Sequence, residues 1–359
     1  MRAIITAGGT GGHIYPALAI ANKIKELEPD SKILYIGTHN RMEKDIIPKH
    51  GIDYEAIEIY GLAKSLKLMK RNIKNIGLIK KGIKRAKEII LEFKPDIVIG
   101  VGGYVTYPVI KAAKKCGIKI FIHEQNSIPG KSNRTLAKYA DIIGISFEES
   151  RKYFNHGNIV LTGNPCSENA LDFKTIKKET LGLNPNKKTV LIFTGSLGSS
   201  TVNKKVEEYL QTIDNADYEV LFVTGASLYE RIDINKLPKN VIVKPYIEDL
   251  CGVMKDMDLV VSRAGASSLA EITAIGVPSI LIPSPYVANN HQYYNALAIK
   301  NAGGCTMIEE ANLNKNILKE EIEKILNDPI KSENMRINLK KLSINNSSTI
   351  IVNEIKKII

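Results

Sequence analysis

The sequence predicts an α/β protein made of two Rossmann-like, parallel-sheet domains that face each other across a cleft. Its 359 residues are long for one core, because a single domain usually takes about 100 to 200 residues. Short apolar, β-branched runs alternate with helical patterns, and the alternation restarts after the turn Gly163, Asn164, Pro165. The composition, 44% hydrophobic and 25% charged, is typical of globular proteins and excludes disordered, collagen-like and coiled-coil classes.

The first domain, residues 1–164, contains five strand-like runs. Each run is rich in β-branched residues and is followed by a helical pattern, which favours a parallel sheet covered on both faces. The predicted strands are residues 3–6, 32–36, 96–101, 119–123 and 141–145.

The second domain, residues 165–344, repeats this pattern, and the chain ends in helical patterns at residues 314–327 and 347–359. The predicted strands are residues 189–194, 219–224, 241–244, 259–262, 278–282 and 306–308.

Cysteine spacing and the N-terminus indicate an intracellular protein. Four cysteines, Cys116, Cys166, Cys251 and Cys305, lie far apart in the chain, so the sequence has no zinc or redox motif and a reducing compartment fits best. The first residues lack the apolar core and cleavage site of a signal peptide. The uncharged stretch 272–299 is interrupted by prolines and amides, so we do not expect a membrane-spanning helix.

The positive charge is concentrated in residues 59–87, which contain ten Lys and Arg and no Asp or Glu, against a formal net charge of +12 for the whole chain. Apolar residues recur every three or four positions in this segment, as in an amphipathic helix. Such a segment favours an anionic membrane surface; a stripe docked on the core with solvated lysines is an equal alternative. Nucleic acid is disfavoured because no aromatics interleave with the charges. The predicted membrane contacts are Leu66, Lys67, Met69, Lys70, Arg71, Ile73 and Lys74.

Three predicted strands run into glycine-rich turns: Gly8 to His13, Gly100 to Tyr104 and Thr194 to Ser200. Pro16 follows the first turn and is expected near the first helical position. Such turns let backbone amides at a helix N-terminus approach a phosphate. None matches a Walker A loop or an in-register dinucleotide fingerprint. The three loops together favour a large substrate that contains a pyrophosphate, and disfavour kinases, ATPases and dehydrogenases.

Several polar residues follow these strands. His13 sits at the start of a helix, where the positive end disfavours imidazolium and leaves a neutral base; a packing histidine is the alternative. His123 and Glu124 form either an acid/base pair or a polar strand end, and Asn126 is placed to hydrogen-bond a ligand. Asp256 and Asp258 resemble a metal-binding DxD motif by chance, because they precede a strand instead of following it.

The stretch from Ser262 to Ala296 is the densest block of candidate site residues. A strand ends at Arg263, a small-residue turn opens a helix, and Glu271 falls in its first two turns. Its carboxylate can accept the two hydroxyls of a ribose while the turn amides face phosphate. Gln292 begins a later helix, where it can hydrogen-bond a sugar.

On these motifs the chain is identified as a member of glycosyltransferase family 28. The resemblance spans essentially the whole chain and rests on GGTGGHIYPALAIA, GVGGYVTYPV, HEQNSIPGKSNR, the GNP turn and SRAGASSLAE to NNHQYYNA, in the family's order. It implies a GT-B architecture, a terminal helix, residues 345–359, that returns to the first domain, and no metal or cofactor.

The resemblance also implies the reaction. N-acetylglucosamine passes from UDP-N-acetylglucosamine to the C4 hydroxyl of lipid I (undecaprenyl-pyrophosphoryl-N-acetylmuramyl-pentapeptide), with inversion, giving lipid II. The first domain faces acceptor and membrane, the second binds the UDP-sugar, and the protein is peripheral on the cytoplasmic side of the bacterial cell membrane. His13 is the expected base, with Glu124 as second candidate. The implied UDP-sugar contacts are Thr10, Gly11, Gly12, Asn126, Ser196, Ile247, Ala266, Ser267, Ser268, Leu269, Ala270, Glu271 and Gln292.

Two departures from the family pattern concern single contacts. Leu197 stands where the family often has glutamine, and Cys166 and Ser167 stand where an arginine often follows the GNP turn. Two other activities remain open on the donor loops alone: a diacylglycerol glycosyltransferase of the same fold, and a UDP-N-acetylglucosamine 2-epimerase. A binding module without chemistry would not require His13 beside a phosphate loop.

Overall fold

The structure is a computed structural model that describes residues 1–61, 69–195 and 198–359, with backbone only for residues 69–76. It divides into two compact units. The first comprises Met1–Cys166 and Asn346–Ile359, and the second comprises Ser167–Asn345. The division based on sequence, after residue 164, lies two residues earlier than this one.

The first unit contains seven described strands and the helices that connect them. Its elements in chain order are β1 (Arg2–Ala7), α1 (Gly11–Leu27), β2 (Lys32–Thr38), α2 (Glu43–Lys49), β3 (Asp53–Ile57), α3 (Met69–Phe93), β4 (Ile97–Gly102), α4 (Thr106–Lys115), β5 (Lys119–Glu124), α5 (Lys131–Leu136), β6 (Ile142–Ile145) and β7 (Ile159–Leu161).

The strands of this sheet are parallel and lie in the order β3-β2-β1-β4-β5-β6-β7. Side chains alternate across each strand: Ala3 and Ile5 of β1 pack with α1, whereas Ile4 packs with α3 and α4 on the other face. Both faces are therefore buried, which explains why the central strands are continuously apolar. The sequence did not predict the two edge strands, β3 and β7.

Helix α1 begins at Gly11, five residues before Pro16. The sequence had placed the helix start near Pro16, because proline favours the first helical position. The glycine loop instead turns directly into the helix, so His13 lies inside the first turn.

The second unit contains six described strands, and the chain then ends in α14. Its elements are α6 (Cys166–Asp172), β8 (Lys188–Phe193), α7 (Ser200–Leu210), β9 (Tyr218–Val223), α8 (Ala226–Tyr229), β10 (Val241–Lys244), α9 (Leu250–Met254), β11 (Leu259–Ser262), α10 (Ala266–Ile275), β12 (Ser279–Leu281), α11 (His291–Asn301), β13 (Cys305–Met307), α12 (Lys315–Leu326), α13 (Pro329–Leu342) and, in the first unit, α14 (Ser347–Lys356).

The sheet of the second unit is also parallel, in the order β10-β9-β8-β11-β12-β13. One side of its core joins β8, β9 and β11 to α7 and α12 through residues such as Val190, Val206 and Ile322. In parallel sheets the carboxyl ends of all strands meet at one edge, where ligands bind. The loops after β1, β4, β8 and β11 lie at these edges in their own units.

The C-terminal helix α14 belongs to the core of the first unit. Ile351, Val352 and Ile355 are fully buried in the cluster that contains α1. The hydroxyl of Ser347 donates to the carbonyl of Asn164 at 2.6 Å, which holds the turn at the unit boundary. Glu28 links the two ends of the chain, because its Oε2 lies 2.9 Å from the Met1 amino group and its Oε1 lies 2.8 Å from Lys356 Nζ.

Among the described helices, none is both long enough and apolar enough to cross a bilayer.

Candidate active site

The first glycine loop joins β1 to α1 and is shaped by backbone conformations that favour glycine. Gly9 has φ +92°, in the left-handed region that side chains disfavour. The amide of Gly8 donates to the carbonyl of Gly102 at 3.3 Å. Thr10 caps the helix in an extended conformation, so the amides of Gly11 and Gly12 fall in the first turn, where helical N–H groups have no intrahelical acceptor. These amides can bind an anion.

His13 projects from this first turn and is half-buried. Its Nδ1 lies 3.2 Å from the carbonyl oxygen of Gly8 and 3.4 Å from Thr10 Oγ1. Because a carbonyl only accepts, Nδ1 carries the proton of the neutral ring and Nε2 keeps a lone pair. Burial lowers the pKa of His13, while the bond to Gly8 and the negative charge of Glu43 act against it. The ring is therefore neutral near pH 7, with Nε2 as an acceptor.

The second glycine loop supports the first. A Cβ on Gly102 would lie 2.6 Å from Cδ2 of His13, and a Cβ on Gly103 would lie 2.3 Å from the carbonyl oxygen of Gly8. Both glycines have positive φ, +115° and +89°. The sequence suggested a phosphate-binding role for this loop. In the structure its glycines allow close packing against the first loop and the His13 ring.

Glu124 is buried, and both of its carboxylate oxygens are occupied. Oε1 accepts from the backbone amide of Asn126 at 3.0 Å and from its Nδ2 at 3.2 Å. Oε2 accepts from Gly130 N at 3.0 Å and from Asn133 Nδ2 at 2.9 Å. Burial raises the pKa of Glu124, against these four donors. This geometry makes Glu124 a clamp on the loop that carries Asn126, and it favours His13 over Glu124 as the base.

His123 is a buried structural residue. Its Nε2 lies 2.9 Å from the carbonyl oxygen of Gly163, and Gln125 Nε2 donates to its Nδ1 at 3.0 Å. Burial lowers the pKa of His123 to about 4, so the ring is neutral. Both ring nitrogens are occupied, so these contacts favour the alternative, a polar strand end, over an acid/base pair of His123 and Glu124.

The third glycine loop lies in the second unit, and two of its residues, Ser196 and Leu197, fall outside the described residues. Gly195 and Gly198 flank them with φ +94° and +70°. A Cβ on Gly198 would lie 2.4 Å from the carbonyl oxygen of Thr224. Asn203 links the start of this loop to the end of β9. Its Oδ1 accepts from Thr194 Oγ1 at 2.9 Å, and its Nδ2 donates to Thr224 O at 2.8 Å.

Helix α10 carries two buried or partly buried polar groups on one face. Ser267 Oγ is buried and Glu271 is half-buried, and neither side chain has a hydrogen-bond partner among the described residues. Residues four apart lie one above the other on a helix. Burial raises the pKa of Glu271 to about 7. Polar groups without partners at a helix N-terminus fit a ligand that supplies hydroxyls and phosphate.

The remaining residues predicted around Glu271 occupy the first two turns of α10 or separate loops. Ala266, Leu269 and Ala270 are buried, Ser268 is half-buried, and Ile247 is half-buried in the loop after β10. Gln292, in the first turn of α11, accepts from Ser284 N at 2.9 Å through Oε1, so its Nε2 is oriented as a donor. Asn289 and Asn290 precede it with φ +55° and +51°, a conformation that asparagine tolerates.

An ion pair that the sequence did not reveal holds the third loop. Arg263 Nη2 lies 2.6 Å from Glu310 Oε2 and donates to Ser199 Oγ at 2.8 Å. Burial opposes charge on Glu310, but hydrogen bonds from Thr201 and Arg263 keep its pKa below the ordinary value. The partners come from distant parts of the chain, so no local motif signals them.

Asp256 and Asp258 bind backbone instead of converging on a ligand. Asp258 Oδ2 accepts from Thr189 N at 2.8 Å and Asp256 Oδ2 accepts from Lys178 N at 3.0 Å. Both residues lie before β11, at the amino edge of the sheet. No group of three or more potential metal ligands occurs among the described residues.

The basic segment is partly described. Leu66 and Lys67 lie outside the described residues, and Met69, Lys70, Arg71, Ile73 and Lys74 are described only as backbone at the start of α3. From residue 77 onward the apolar stripe packs on the core through Ile79, Ile83 and Ala86, and Leu78 is buried. The basic side chains of this half, Lys80, Lys81, Lys84, Arg85 and Lys87, are exposed. The docked-stripe alternative is therefore correct for the second half of the segment.

Two family models match the chain. Residues 3–145 match the glycosyltransferase family 28 N-terminal domain, and residues 189–349 match the glycosyltransferase family 28 C-terminal domain.

Similar proteins span the same length. A UDP-N-acetylglucosamine–N-acetylmuramyl-(pentapeptide) pyrophosphoryl-undecaprenol N-acetylglucosamine transferase of Bacillus cereus is 43% identical, with 100% of both chains covered. The Bacillus licheniformis protein of the same description is 42% identical, with 100% of this chain and 99% of that protein covered. The crystal structure of MurG from Acinetobacter baumannii shares the fold with a TM-score of 0.80 at 24% identity, covering 99% of each chain. A putative UDP-N-acetylglucosamine 2-epimerase from Listeria monocytogenes also shares it, with a TM-score of 0.71 at 17% identity, covering 99% of this chain and 96% of that one.

Proposed function

The chain belongs to glycosyltransferase family 28, and on this premise we propose how its residues carry out an N-acetylglucosamine transfer. The donor is UDP-N-acetylglucosamine and the acceptor is lipid I, undecaprenyl-pyrophosphoryl-N-acetylmuramyl-pentapeptide. The curated relatives carry this activity in their descriptions and align over the full length. The observation that carries the mechanism is the 3.2 Å contact of His13 Nδ1 with the Gly8 carbonyl oxygen, which leaves the lone pair of the neutral ring on Nε2.

The second unit supplies the donor site. The amides that open α10 and the third glycine loop, with Ser196, face the diphosphate, and Ser267 and Ser268 add hydroxyl donors. Glu271 accepts the ribose hydroxyls, because its carboxylate has no hydrogen-bond partner among the described residues. The backbone of Ile247 binds the uracil. Gln292 donates its Nε2 to the sugar.

The first unit supplies the acceptor site and the base. Nε2 of His13 takes the proton from the C4 hydroxyl of the muramyl sugar as this oxygen forms a bond to C1 of N-acetylglucosamine. The bond from C1 to the UDP oxygen breaks in the same step, and UDP leaves with the electron pair. A single displacement inverts the α-linked donor to a β-1,4 product, lipid II. Thr10, Gly11, Gly12 and Asn126 complete the donor contacts from this unit.

The acceptor carries an undecaprenyl chain, so the enzyme must work at a membrane surface. We assign this contact to the first half of the basic segment, residues 62–76, because the second half is docked on the core. The protein is then a peripheral protein on the cytoplasmic side of the bacterial membrane.

Acceptor dependence tests this function against its alternatives. The purified protein is incubated with radiolabelled UDP-N-acetylglucosamine and with lipid I, diacylglycerol or no acceptor. We expect labelled lipid product with lipid I alone. Labelled diacylglycerol, or release of an epimerised sugar without acceptor, would instead identify one of the two alternative activities. We propose neither of these activities, because the full-length relatives are described as N-acetylglucosamine transferases. The epimerase resembles this chain in fold alone, at 17% identity.

A further inference from the structure

A buried carboxylate lies beneath the first glycine loop and takes no direct part in the transfer. Glu43, in the first turn of α2, is 0% exposed. Its Oε1 accepts from Thr38 Oγ1 at 2.6 Å and from Thr38 N at 3.2 Å, and its Oε2 accepts from Gly9 N at 3.2 Å. No ion pair joins Glu43 to a cation among the described residues. Burying a carboxylate without a cation opposes folding, and here the three donors from Thr38 and Gly9 offset part of that cost.

Glu43 is in close contact with the residue that orients His13. A Cβ on Gly8 would lie 2.5 Å from Glu43 Oε1 and a Cβ on Gly37 would lie 2.8 Å from Glu43 Cγ, so glycine is required on both sides. The carbonyl of Gly8 accepts the Nδ1 proton of His13. Gly8 therefore links the carboxylate on one side to the imidazole on the other.

The other titratable groups around this pair are buried phenols, more exposed side chains and His39, which follows Thr38, is half-buried and has its Nε2 3.4 Å from Tyr60 Oη. Tyr35, from β2, donates to Ala7 O at 3.0 Å, and Tyr54, from β3, donates to Thr38 O at 2.5 Å. Burial raises the pKa of both phenols, so both are neutral. Three more titratable side chains lie near the first loop or Tyr54: Asp45 of α2, Tyr104 of the second loop and Tyr15 of α1. The exposed Arg41 donates its Nε to Tyr104 Oη at 3.3 Å. Glu43 is thus the buried charge closest to the loop under His13.

We propose that Glu43 is a positioning residue for the base: it fixes Gly8 and Gly9 so that the Gly8 carbonyl holds the His13 proton on Nδ1, and its charge stabilises the imidazolium formed during transfer. The proton that Nε2 receives comes from the acceptor hydroxyl, and the positive charge that results is separated from the Glu43 carboxylate by Gly8. A carboxylate that orients and supports a histidine in this manner is a general device of base catalysis. The inference rests on the proposed role of His13.

The test compares Glu43→Gln, which removes the charge, with Glu43→Asp, which keeps the charge but shortens the reach to Gly9. Glu92→Gln is the matched control, since Glu92 is exposed in the last turn of α3 and its loss changes the net charge equally. Two properties are measured: the pKa of His13 by imidazole NMR in the ligand-free protein, and the pH profile of kcat with lipid I. UDP affinity and thermal unfolding are recorded for each variant.

In Glu43→Gln we expect the His13 titration and the acid limb of kcat to move together to lower pH. We also expect kcat on the plateau to fall about ten- to a hundredfold, the usual effect of a misplaced catalytic group, with UDP affinity unchanged. In Glu43→Asp, kcat should fall because the shorter side chain no longer reaches Gly9. The acid limb of the pH profile should stay close to that of the parent, because the negative charge is kept. If Glu43→Gln does not unfold cooperatively, Glu43→Asp carries the test, and parent-like kcat in that variant overturns the proposal.

The outcomes separate this inference from the proposed function. If His13→Ala abolishes turnover but Glu43→Gln keeps the parent's titration and kcat, Glu43 has no positioning role. If His13→Ala itself turns over at the parent's rate, the assignment of His13 as the base fails first. A loss of thermal stability with an unmoved His13 titration would show a structural role alone, and would also overturn the proposal.

Discussion

Nδ1 of His13 and the carbonyl oxygen of Gly8 lie 3.2 Å apart, and this contact decides which ring nitrogen can act as a base. The same carbonyl faces Gly103, where a Cβ would approach to 2.3 Å. One backbone group therefore connects both glycine loops of the first unit with the imidazole.

Replacing His13 by alanine tests the base directly. General acid/base catalysis contributes about 10² to 10⁴ in rate, so His13→Ala should lower kcat by this factor. UDP affinity, measured by calorimetry, should change little, because the proposed contacts to the uracil and ribose come from Ile247 and Glu271 and not from the His13 side chain. Turnover near the parent's rate at saturating lipid I would exclude His13 as the base.

Glu271 should make UDP binding depend on pH. Its pKa is about 7 in the free protein, and ribose hydroxyls that donate to the carboxylate favour the ionised form, so its pKa falls on binding. Affinity should therefore rise between pH 6 and pH 8 with release of a proton, as calorimetry in buffers of different ionisation enthalpy can measure.

Two controls accompany this prediction. Glu271→Gln should bind UDP about 2 to 3 kcal/mol more weakly and without the pH dependence. The affinities of parent and variant for 2′-deoxy-UDP should differ less than their affinities for UDP.

The pKa of Glu271 in the folded protein exceeds the ordinary value of 4.5 expected in the unfolded chain, so this group favours the folded state fully below pH 4.5 and loses that contribution as pH rises through 7. Glu271→Gln should accordingly raise the melting temperature at pH 8 more than at pH 4.5. Equal pH dependence in both proteins would contradict the assignment.

Gly103→Ala should lower the free energy of unfolding of the first unit far more than an ordinary glycine substitution does. The new Cβ would meet the backbone oxygen of Gly8, in addition to the strain of a positive φ, about 1 to 3 kcal/mol. Gly117→Ala is the matched control, because Gly117 has φ +72° but no atom within 4 Å of its Cβ position. Denaturant unfolding should show a larger loss for Gly103→Ala, and equal losses would mean that the loops do not depend on this contact.

Activity should persist in excess EDTA. Asp256 and Asp258, which resemble a metal-binding motif, bind backbone amides at the amino edge of the sheet, and helix N-termini can hold a diphosphate through amides alone. Transfer to lipid I is assayed with EDTA and after re-addition of Mg²⁺ or Mn²⁺. Complete loss of activity in EDTA, with recovery after either metal is added, would indicate that the donor site binds a metal ion.

Neutralising the first half of the basic segment should weaken membrane binding. At roughly 1 kcal/mol per Lys or Arg near an anionic surface, the substitutions Lys67→Gln, Lys70→Gln, Arg71→Gln and Lys74→Gln together should lower binding to anionic vesicles by about a thousandfold at most. Vesicle sedimentation at several salt concentrations measures this, since the effect is electrostatic.

The control variant carries four Lys→Gln changes on exposed lysines of the second unit, at Lys239, Lys315, Lys324 and Lys341. It has the same net charge and should sediment as the parent does. Equal sedimentation of both variants and the parent at physiological salt would place the lipid contact elsewhere.

In the first unit, the strands that the sequence could predict are those buried on both faces, whereas in the second unit the partly exposed edge strands β10 and β13 were predicted as well. β4, Ile97–Gly102, is buried at every position, so its apolar run is unbroken. β3 is exposed or half-buried at four of its five positions, and β7 has no buried residue. These edge strands lack the signal because one side of each meets solvent or a loop. The helix start at Gly11 was missed for another reason: tertiary packing of the glycine loops outweighs the usual preference of Pro16.

The candidate site was predictable where a motif is local and not where its support comes from a distance. His13 and Glu271 each stand in a recognisable strand, turn and helix. Glu43 accepts hydrogen bonds from Gly9, which follows β1, and from Thr38, which ends β2. Arg263, after β11, forms an ion pair with Glu310, after β13. Glu124 was the second candidate for the base. Its partners, Asn126, Gly130 and Asn133, lie only 2 to 9 residues further along the chain, but no sequence motif signals that this loop turns back onto the carboxylate.

The first unit is assembled from both ends of the chain, which has a consequence for its synthesis. Domains tend to fold in order as they leave the ribosome, yet the apolar face of α1 lacks Ile351, Val352 and Ile355 until the whole second unit and the residues after it have been translated. The inserted second unit, Ser167–Asn345, can fold earlier. The nascent chain therefore exposes an incomplete core while its middle is already native, and a chain that stops short of Ser347 would leave the ribosome with that core open.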